Sequence, residues 1–297
     1  LMSLTSLLIL ARGIHSAFAW IAIPFVAIAS KTFVEYSSSG LENPLTVLLL
    51  VAFGTLWVRK EHGIQRIRNL ALLTSLMLLN RMDTVLLVGP ALAMAFWQER
   101  SWAAFRSLVF GLIPFIGWEI FSIIYYGFPF PNTAYAKLGT GIASSKLLAM
   151  GFAYFKDSLQ RDPVTLPTIF VGIVAGMLRR RFWPLALGIA LYLLYITRIG
   201  GDFMSGRFFM APFVLAVFLI GNWASNQKYA LGIWAALATI VGFLGPTPML
   251  WDPNRVSPSV PLVNADGIAD ERAFYYEGTG LVNALSGKVM PDFRWVE

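Results

Sequence analysis

Residues Phe182–Ile220 read FWPLALGIALYLLYITRIGGDFMSGRFFMAPFVLAVFLI, two apolar runs (Phe182–Thr197 and Phe208–Ile220) joined by a charged, glycine-rich loop. Each run approaches the roughly 20 residues that a membrane-crossing helix needs. Their apolarity is continuous and does not alternate, which assigns them to helices and not to the strands of a barrel. An Asp and an Arg this close to hydrocarbon are expensive. Asp202 and Arg207 are therefore candidates for function by default, with a structural ion pair as the alternative.

The rest of the chain repeats the pattern. Further apolar segments lie at Ile14–Ala29, Pro44–Val58, Leu70–Leu79, Thr84–Trp97, Ser107–Tyr126, Leu166–Met177 and Ala230–Leu244, and a weaker stretch at Leu147–Phe155 suits a re-entrant or interfacial helix. Hydrophobic residues make up 57% of the 297 and charged residues 13%, too little polar surface for a soluble domain of this length. The expected fold is all-α, a polytopic transmembrane helical bundle over residues 1–245, followed by an extracytoplasmic C-terminal tail over 246–297. The run Leu1–Ala11 is about half a span, so the missing part of that helix is expected upstream of Leu1. Without cysteine there are no disulfides or thiolate metal sites, and two isolated histidines, His15 and His62, do not make a zinc cluster.

If every segment crosses, Arg12, Arg59, Lys60, Arg66, Arg68, Arg100, Arg106, Arg179, Arg180, Arg181 and Lys228 share one side with only Glu61 and Glu99 for acids. By the positive-inside rule that side is cytoplasmic. The net charge of +7 is thus topological and does not point to nucleic acid. The longer, chemically varied loops fall on the other face: Lys31–Asn43, Asn80–Asp83, Tyr126–Pro163, Arg198–Arg207 and the tail. A transporter would place polar groups near the midplane of its helices, whereas here they gather at one end, which favours chemistry at the outer membrane boundary.

Several residues on that face have two readings. In Tyr125–Lys137 the glycine and prolines impose an extended turn, and Tyr125, Tyr126 and Phe128 fit an aromatic belt. Asn132, Tyr135 and Lys137, an amide, a phenol and an ammonium after a rigid turn, suit a sugar or a lipid phosphate as well as ordinary loop capping. Asp202 could cap the helix expected to begin near Arg207, or pair with Arg207. Together with Arg198, Arg207 would otherwise form a corner that accepts phosphate. Glu42, just before the helix that Pro44 opens, either favours the helix dipole or orients an acceptor hydroxyl. Arg81 and Asp83 either satisfy each other or line a cavity.

Four stretches occur in order along the chain: Ser38-Ser39-Gly40-Leu41-Glu42, Tyr126-Gly127-Phe128-Pro129-Phe130-Pro131-Asn132-Thr133-Ala134-Tyr135-Ala136-Lys137, Gly200-Gly201-Asp202-Phe203-Met204-Ser205-Gly206-Arg207 and Asp270-Glu271-Arg272-Ala273-Phe274-Tyr275-Tyr276. Together they resemble bacterial GT-C glycosyltransferases, closest to the terminal arabinofuranosyltransferase group of mycobacterial cell-wall synthesis. The resemblance implies a multi-pass enzyme of the bacterial inner membrane. Such an enzyme moves a sugar from a polyprenyl-phosphate donor to an extracytoplasmic cell-envelope glycan or lipid acceptor. It also implies a catalytic Asp in an outer loop after the first helix, a position expected upstream of Leu1. Asp202, Asp83 and Glu42 are then supporting site residues, with Arg207, Arg198 and Lys137 for the donor phosphate and Asn132, Tyr135 and Arg81 for sugar or acceptor. No metal site or cofactor is called for, although a divalent cation would be compatible. The alternative reading is a transporter or flippase of lipid-linked saccharides.

Overall fold

The computed structural model describes residues 1–14, 16–59, 63–130, 135, 141–225, 229–245, 261–273 and 275. Among these residues the chain is helical and carries no strands, only isolated bridges from tail residue Ala269 to Val263 and to Met204. The helices are α1 (Met2–Gly13), α2 (Ala19–Ala29), α3 (Lys31–Tyr36), α4 (Asn43–Val58), α5 (Ile64–Asn80), α6 (Val85–Glu99), α7 (Trp102–Tyr126), α8 (Ser144–Arg161), α9 (Thr165–Met177), α10 (Trp183–Ile199), α11 (Met210–Ala224) and α12 (Ala230–Leu244). Short 3₁₀ turns at Met82–Thr84 and Arg207–Phe209 lead into α6 and α11.

The all-α expectation holds, and each apolar run read from the sequence contributes to a helix, although Ile14–Ala29 becomes helical only from Ala19. The boundaries differ in ways that have local causes. The Leu70–Leu79 run is the apolar end of α5, whose first turns carry Arg66 and Arg68. Ser107–Tyr126 begins earlier, at Trp102, because the Ser101 hydroxyl accepts from Ala104 N at 3.1 Å and caps α7. The weak stretch at Leu147–Phe155 is the middle of α8, which buries Tyr154, Asp157, Ser158 and Arg161 on one face. Lys31–Asn43, expected as loop, begins with α3, which is capped by Ser30 through Phe33 N at 3.1 Å. Six residues are too few for a periodic signal, and the buried Lys31–Glu35 pair that steadies the turn reads as loop polarity in one dimension.

Helix α11 is the hub: nearly all its residues are buried, and it packs against α4, α9 and α10. Small residues let backbones approach closely. A methyl group at Gly188 of α10 would lie 2.1 Å from the Leu87 carbonyl of α6, and one at Gly111 of α7 would lie 2.5 Å from the Arg68 carbonyl of α5. By contrast α7 turns most of its surface outward, exposing Phe110, Ile113, Trp118, Ile120, Phe121 and Ile124. Among the described residues, Trp102–Tyr126 and Arg207–Ala224 are long and apolar enough to cross a membrane, and six further apolar helices have 10–17 residues.

The bundle has two chemically distinct ends. Helix α4 runs between them, rising about 24 Å over its 16 residues. At its C-terminal end, Arg66 and Arg181 donate to the Trp57 carbonyl, and Arg179 donates to the Trp223 carbonyl at the end of α11. At its N-terminal end stand Glu42, the close of α5, the close of α10 and the entry to α11.

Tail residues 261–273 pack against that second end. Ser205 N donates to the Ala269 carbonyl (2.9 Å) and Ala269 N to the Phe203 carbonyl (2.7 Å), while Asp270 N turns back to the Leu262 carbonyl (2.7 Å). Asp270 is buried between Lys31 (3.0 Å) and Arg161 (3.4 Å), and Arg161 also holds Asp157 (2.9 Å). The loop carrying Asp202 and Arg207 is therefore supported from behind by α3, α8 and the tail.

Candidate active site

Three connections deliver charge to one point. Asn80, the last residue of α5, fixes the approach of two of them: its side-chain amide donates to the Glu42 carbonyl (3.1 Å) and to Thr46 Oγ1 (2.8 Å), tying the end of α5 to the start of α4. The next residue, Arg81, is extended, which turns its side chain toward Glu42. Gly200, Gly201 and Gly206 all have positive φ, so the chain can reverse sharply between α10 and α11 and bring Arg207 to the same place.

Glu42 is the shared acceptor. Its Oε1 receives Arg81 Nη1 at 2.9 Å and Arg207 Nη2 at 3.0 Å, and its Oε2 receives Arg207 Nη2 at 3.1 Å. Arg81 also donates through Nε to Asp83 Oδ1 (3.0 Å), through Nη2 to Asp83 Oδ2, and to the Tyr192 hydroxyl (3.0 Å). The Tyr192 hydroxyl donates in turn to Asp83 Oδ2 (3.1 Å), and the Arg81 guanidinium lies 4.8 Å above the Phe208 ring. Arg207 reaches Asp202 Oδ2 (3.3 Å), while its Nε is buried without a hydrogen-bond partner among the described residues. Burial alone would raise the Glu42 carboxyl, but its own backbone N–H, Arg81 and Arg207 outweigh that and hold its pKa below the ordinary value.

These side chains form one wall of a cavity of about 800 Å³. Glu42, Arg81, Asp83, Asp202 and Arg207 supply its charge, and Trp118, Ser122, Tyr126, Phe128 and Phe130 bring α7 and the turn after it to the opposite side. An outward-turned apolar helix thus meets a charged wall, and an amphiphile with an anionic head and an apolar tail has a surface for each part. The three carboxylates turn toward the arginines. Among the described residues no group of three or more His, Cys, Asp and Glu is placed to hold a metal ion.

The structure brings together five of the residues singled out in the sequence and leaves others apart. Both readings of Arg81 and Asp83 apply at once, since they pair and line the cavity. Asp202 is not a helix cap: the 3₁₀ turn that precedes α11 has no side-chain cap, and Asp202 Oδ1 accepts from its neighbour Phe203 N at 2.9 Å. Arg198 is exposed on the last turn of α10 and does not line the cavity, so it does not join Arg207 in a corner. Tyr135 packs edge-on against Phe128 and Phe130 without lining the cavity itself. Asn132 and Lys137 lie outside the described residues, as do His15 and His62. Tyr192, Tyr195 and Trp118 were missed, because in sequence each is one more aromatic within an apolar run.

No family model matches the chain, and no solved structure matches it. The chain is similar to the terminal β-(1→2)-arabinofuranosyltransferase of Mycobacterium tuberculosis (strain ATCC 25618 / H37Rv), at 26% identity over 87% of this chain and 48% of that protein, so it spans about half the length of that relative.

Proposed function

We propose that this chain belongs to a GT-C-type membrane glycosyltransferase of cell-envelope synthesis, embedded as a multi-pass helical bundle with its site on the extracytoplasmic face. The donor is a sugar on a polyprenyl phosphate, the acceptor is a cell-envelope glycan or lipid, and arabinofuranose is the sugar that the similarity to the mycobacterial enzyme suggests. The observation that carries the reading is a cavity with an arginine–carboxylate wall facing an aromatic wall formed by outward-turned α7. The concentration of basic residues at the other end of α4 supports the orientation.

The chemistry follows from how Glu42 is held. Both of its oxygens accept from Arg207 Nη2, a donor that a phosphate oxygen would use. Donor phosphate entering the cavity competes for Arg207 and draws it from Glu42. We therefore assign the base's role to Glu42, expected from the sequence only to orient the acceptor hydroxyl: partly relieved of its cations, it regains basicity and takes the hydroxyl proton. The hydroxyl oxygen forms its bond to the anomeric carbon while the bond from that carbon to the phosphate oxygen breaks, and the leaving phosphate carries the electron pair to Arg207 and Arg81. Asp83 and Tyr192 fix Arg81 throughout.

Transfer of labelled sugar from a polyprenyl-phosphate donor, assayed in the membrane-embedded protein, tests this reading. Arg207→Ala is expected to weaken donor binding about 10- to 100-fold, the value of charge-assisted hydrogen bonds. Glu42→Gln should lower turnover by about 10²- to 10⁴-fold with donor binding retained. Unchanged donor affinity and turnover in Arg207→Ala would sink the assignment. A transporter of lipid-linked saccharides is the rival reading; translocation of the labelled lipid across sealed vesicles without transfer would select it. The position of the charged groups at helix ends, away from the midplane, favours transfer.

A further inference from the structure

The opposite end of the bundle carries a feature that sugar transfer does not use. Arg66, in the first turn of α5, and Arg181, at the turn into α10, both donate to the Trp57 carbonyl, at 3.0 and 3.1 Å. Arg181 extends along the same helix end to the carbonyls of Val58 (2.5 Å) and Arg59 (2.8 Å). One guanidinium is enough to cap the C-terminus of a helix. Two on the same carbonyl repel each other, and neither has a carboxylate within salt-bridge distance among the described residues; the acid acting on Arg66 is the exposed Glu99, from a distance. Arg66 is 7% exposed, stacks 4.7 Å above the Trp57 ring, and its Nε has no hydrogen-bond partner among the described residues. An anion beside Arg181 would relieve this repulsion.

The surroundings indicate which anion. Next to this end, at the turn from α6 to α7, Trp97 and Trp102 are strongly exposed, and Arg100 lies 3.4 Å over the Trp97 ring. Arginine with outward-facing indoles just before a lipid-facing apolar helix is the composition of a membrane interface. A freely diffusing phosphate gains nothing from those indoles, whereas a phospholipid gains from both.

We propose that the Arg66–Arg181 pair is a binding site for the phosphate of an anionic phospholipid headgroup, on the face of the bundle opposite the sugar-transfer cavity. The site rests on the membrane placement proposed above but not on the transfer chemistry. Arg181 contacts the phosphate directly. Arg66 acts from behind it through charge, and Trp97 and Trp102 seat the lipid's glycerol level.

The test uses the purified full chain in nanodiscs of phosphatidylcholine mixed with phosphatidylglycerol, with the lipids that stay bound counted by native mass spectrometry. Phosphatidylglycerol should be enriched over its bulk fraction. Each arginine near an anionic surface is worth about 1 kcal/mol, so Arg66→Gln with Arg181→Gln should cut the enrichment roughly 25-fold. Arg66→Lys with Arg181→Lys should retain most of it, and Lys146→Gln with Lys156→Gln, exposed on α8, should leave it unchanged. Should the double glutamine variant not fold, the wild-type enrichment must still collapse between ~0.1 M and ~1 M salt, as screening shortens from about 10 to about 3 Å. Equal retention of both lipids, a salt-independent enrichment, or displacement by millimolar inorganic phosphate would overturn the proposal. Release of the chain from membranes by alkaline carbonate would overturn the membrane placement itself, whereas retention with no lipid preference removes the lipid site alone.

Discussion

Replacing Arg81 with methionine tests the logic of the charged wall. The Arg81 and Asp83 side chains are 11% and 12% exposed, so solvent screens the pair weakly. Methionine keeps an unbranched apolar stem and deletes the guanidinium, together with its contact over the Phe208 ring. Glu42 then still has Arg207 on both oxygens, but among the described residues Asp83 keeps only the Tyr192 hydroxyl. The cost is therefore that of a nearly buried carboxylate stripped of its cation, about 3–5 kcal/mol. Adding Asp83→Leu removes the stranded charge. The double variant should recover most of the loss, because replacing a buried pair with apolar groups is often neutral or stabilising. Denaturant titration in a fixed detergent, monitored by tryptophan fluorescence, measures both. A loss below about 1 kcal/mol in Arg81→Met, or a double variant as unstable as the single, would refute the claim that Asp83 depends on Arg81.

Tyr192→Phe removes one hydroxyl that accepts from Arg81 and donates to Asp83, and should cost about 1.5–3 kcal/mol in the same titration, the range for hydrogen bonds to charged groups. Gly188→Ala would drive a methyl to 2.1 Å from the Leu87 carbonyl and should lower stability by at least about 1–3 kcal/mol, while Gly117→Ala, with open space around it, should be neutral or better; equal effects in thermal unfolding would contradict the α6–α10 packing. Glu35 is raised from 4.5 to about 7 by burial, against the pull of Lys31 and Arg272 and with reinforcement from Asp270. Its proton is bound more tightly in the folded state, so its stabilising contribution is complete below about pH 4.5 and is lost as pH rises through about 7. Thermal unfolding should therefore decline across that window, and Glu35→Gln should flatten the decline; an identical slope in the variant would show that Glu35 does not titrate there.

The sequence by itself determined the class of element and the face on which the charge collects. Uninterrupted apolar runs such as Phe182–Thr197 are too long for a single buried strand and read as helices, and the clustering of arginine at alternate connections is a property of the chain's order alone. It also marked Glu42, Arg81, Asp83, Asp202 and Arg207, because charge beside an apolar run is visible without coordinates. Which of the marked residues meet was decided only by the tertiary structure. Glu42 and Arg207 are 165 residues apart, and their contact depends on the tie from Asn80 to α4 and on the glycine reversal before α11. Arg198 and Arg207 are close in sequence, yet α10 ends with Arg198 on its outer face. Tyr192 and Trp118 were invisible in sequence for the opposite reason: within an apolar helix an aromatic gives no sign of whether its polar edge faces a partner, and that depends on helix rotation, which only packing fixes.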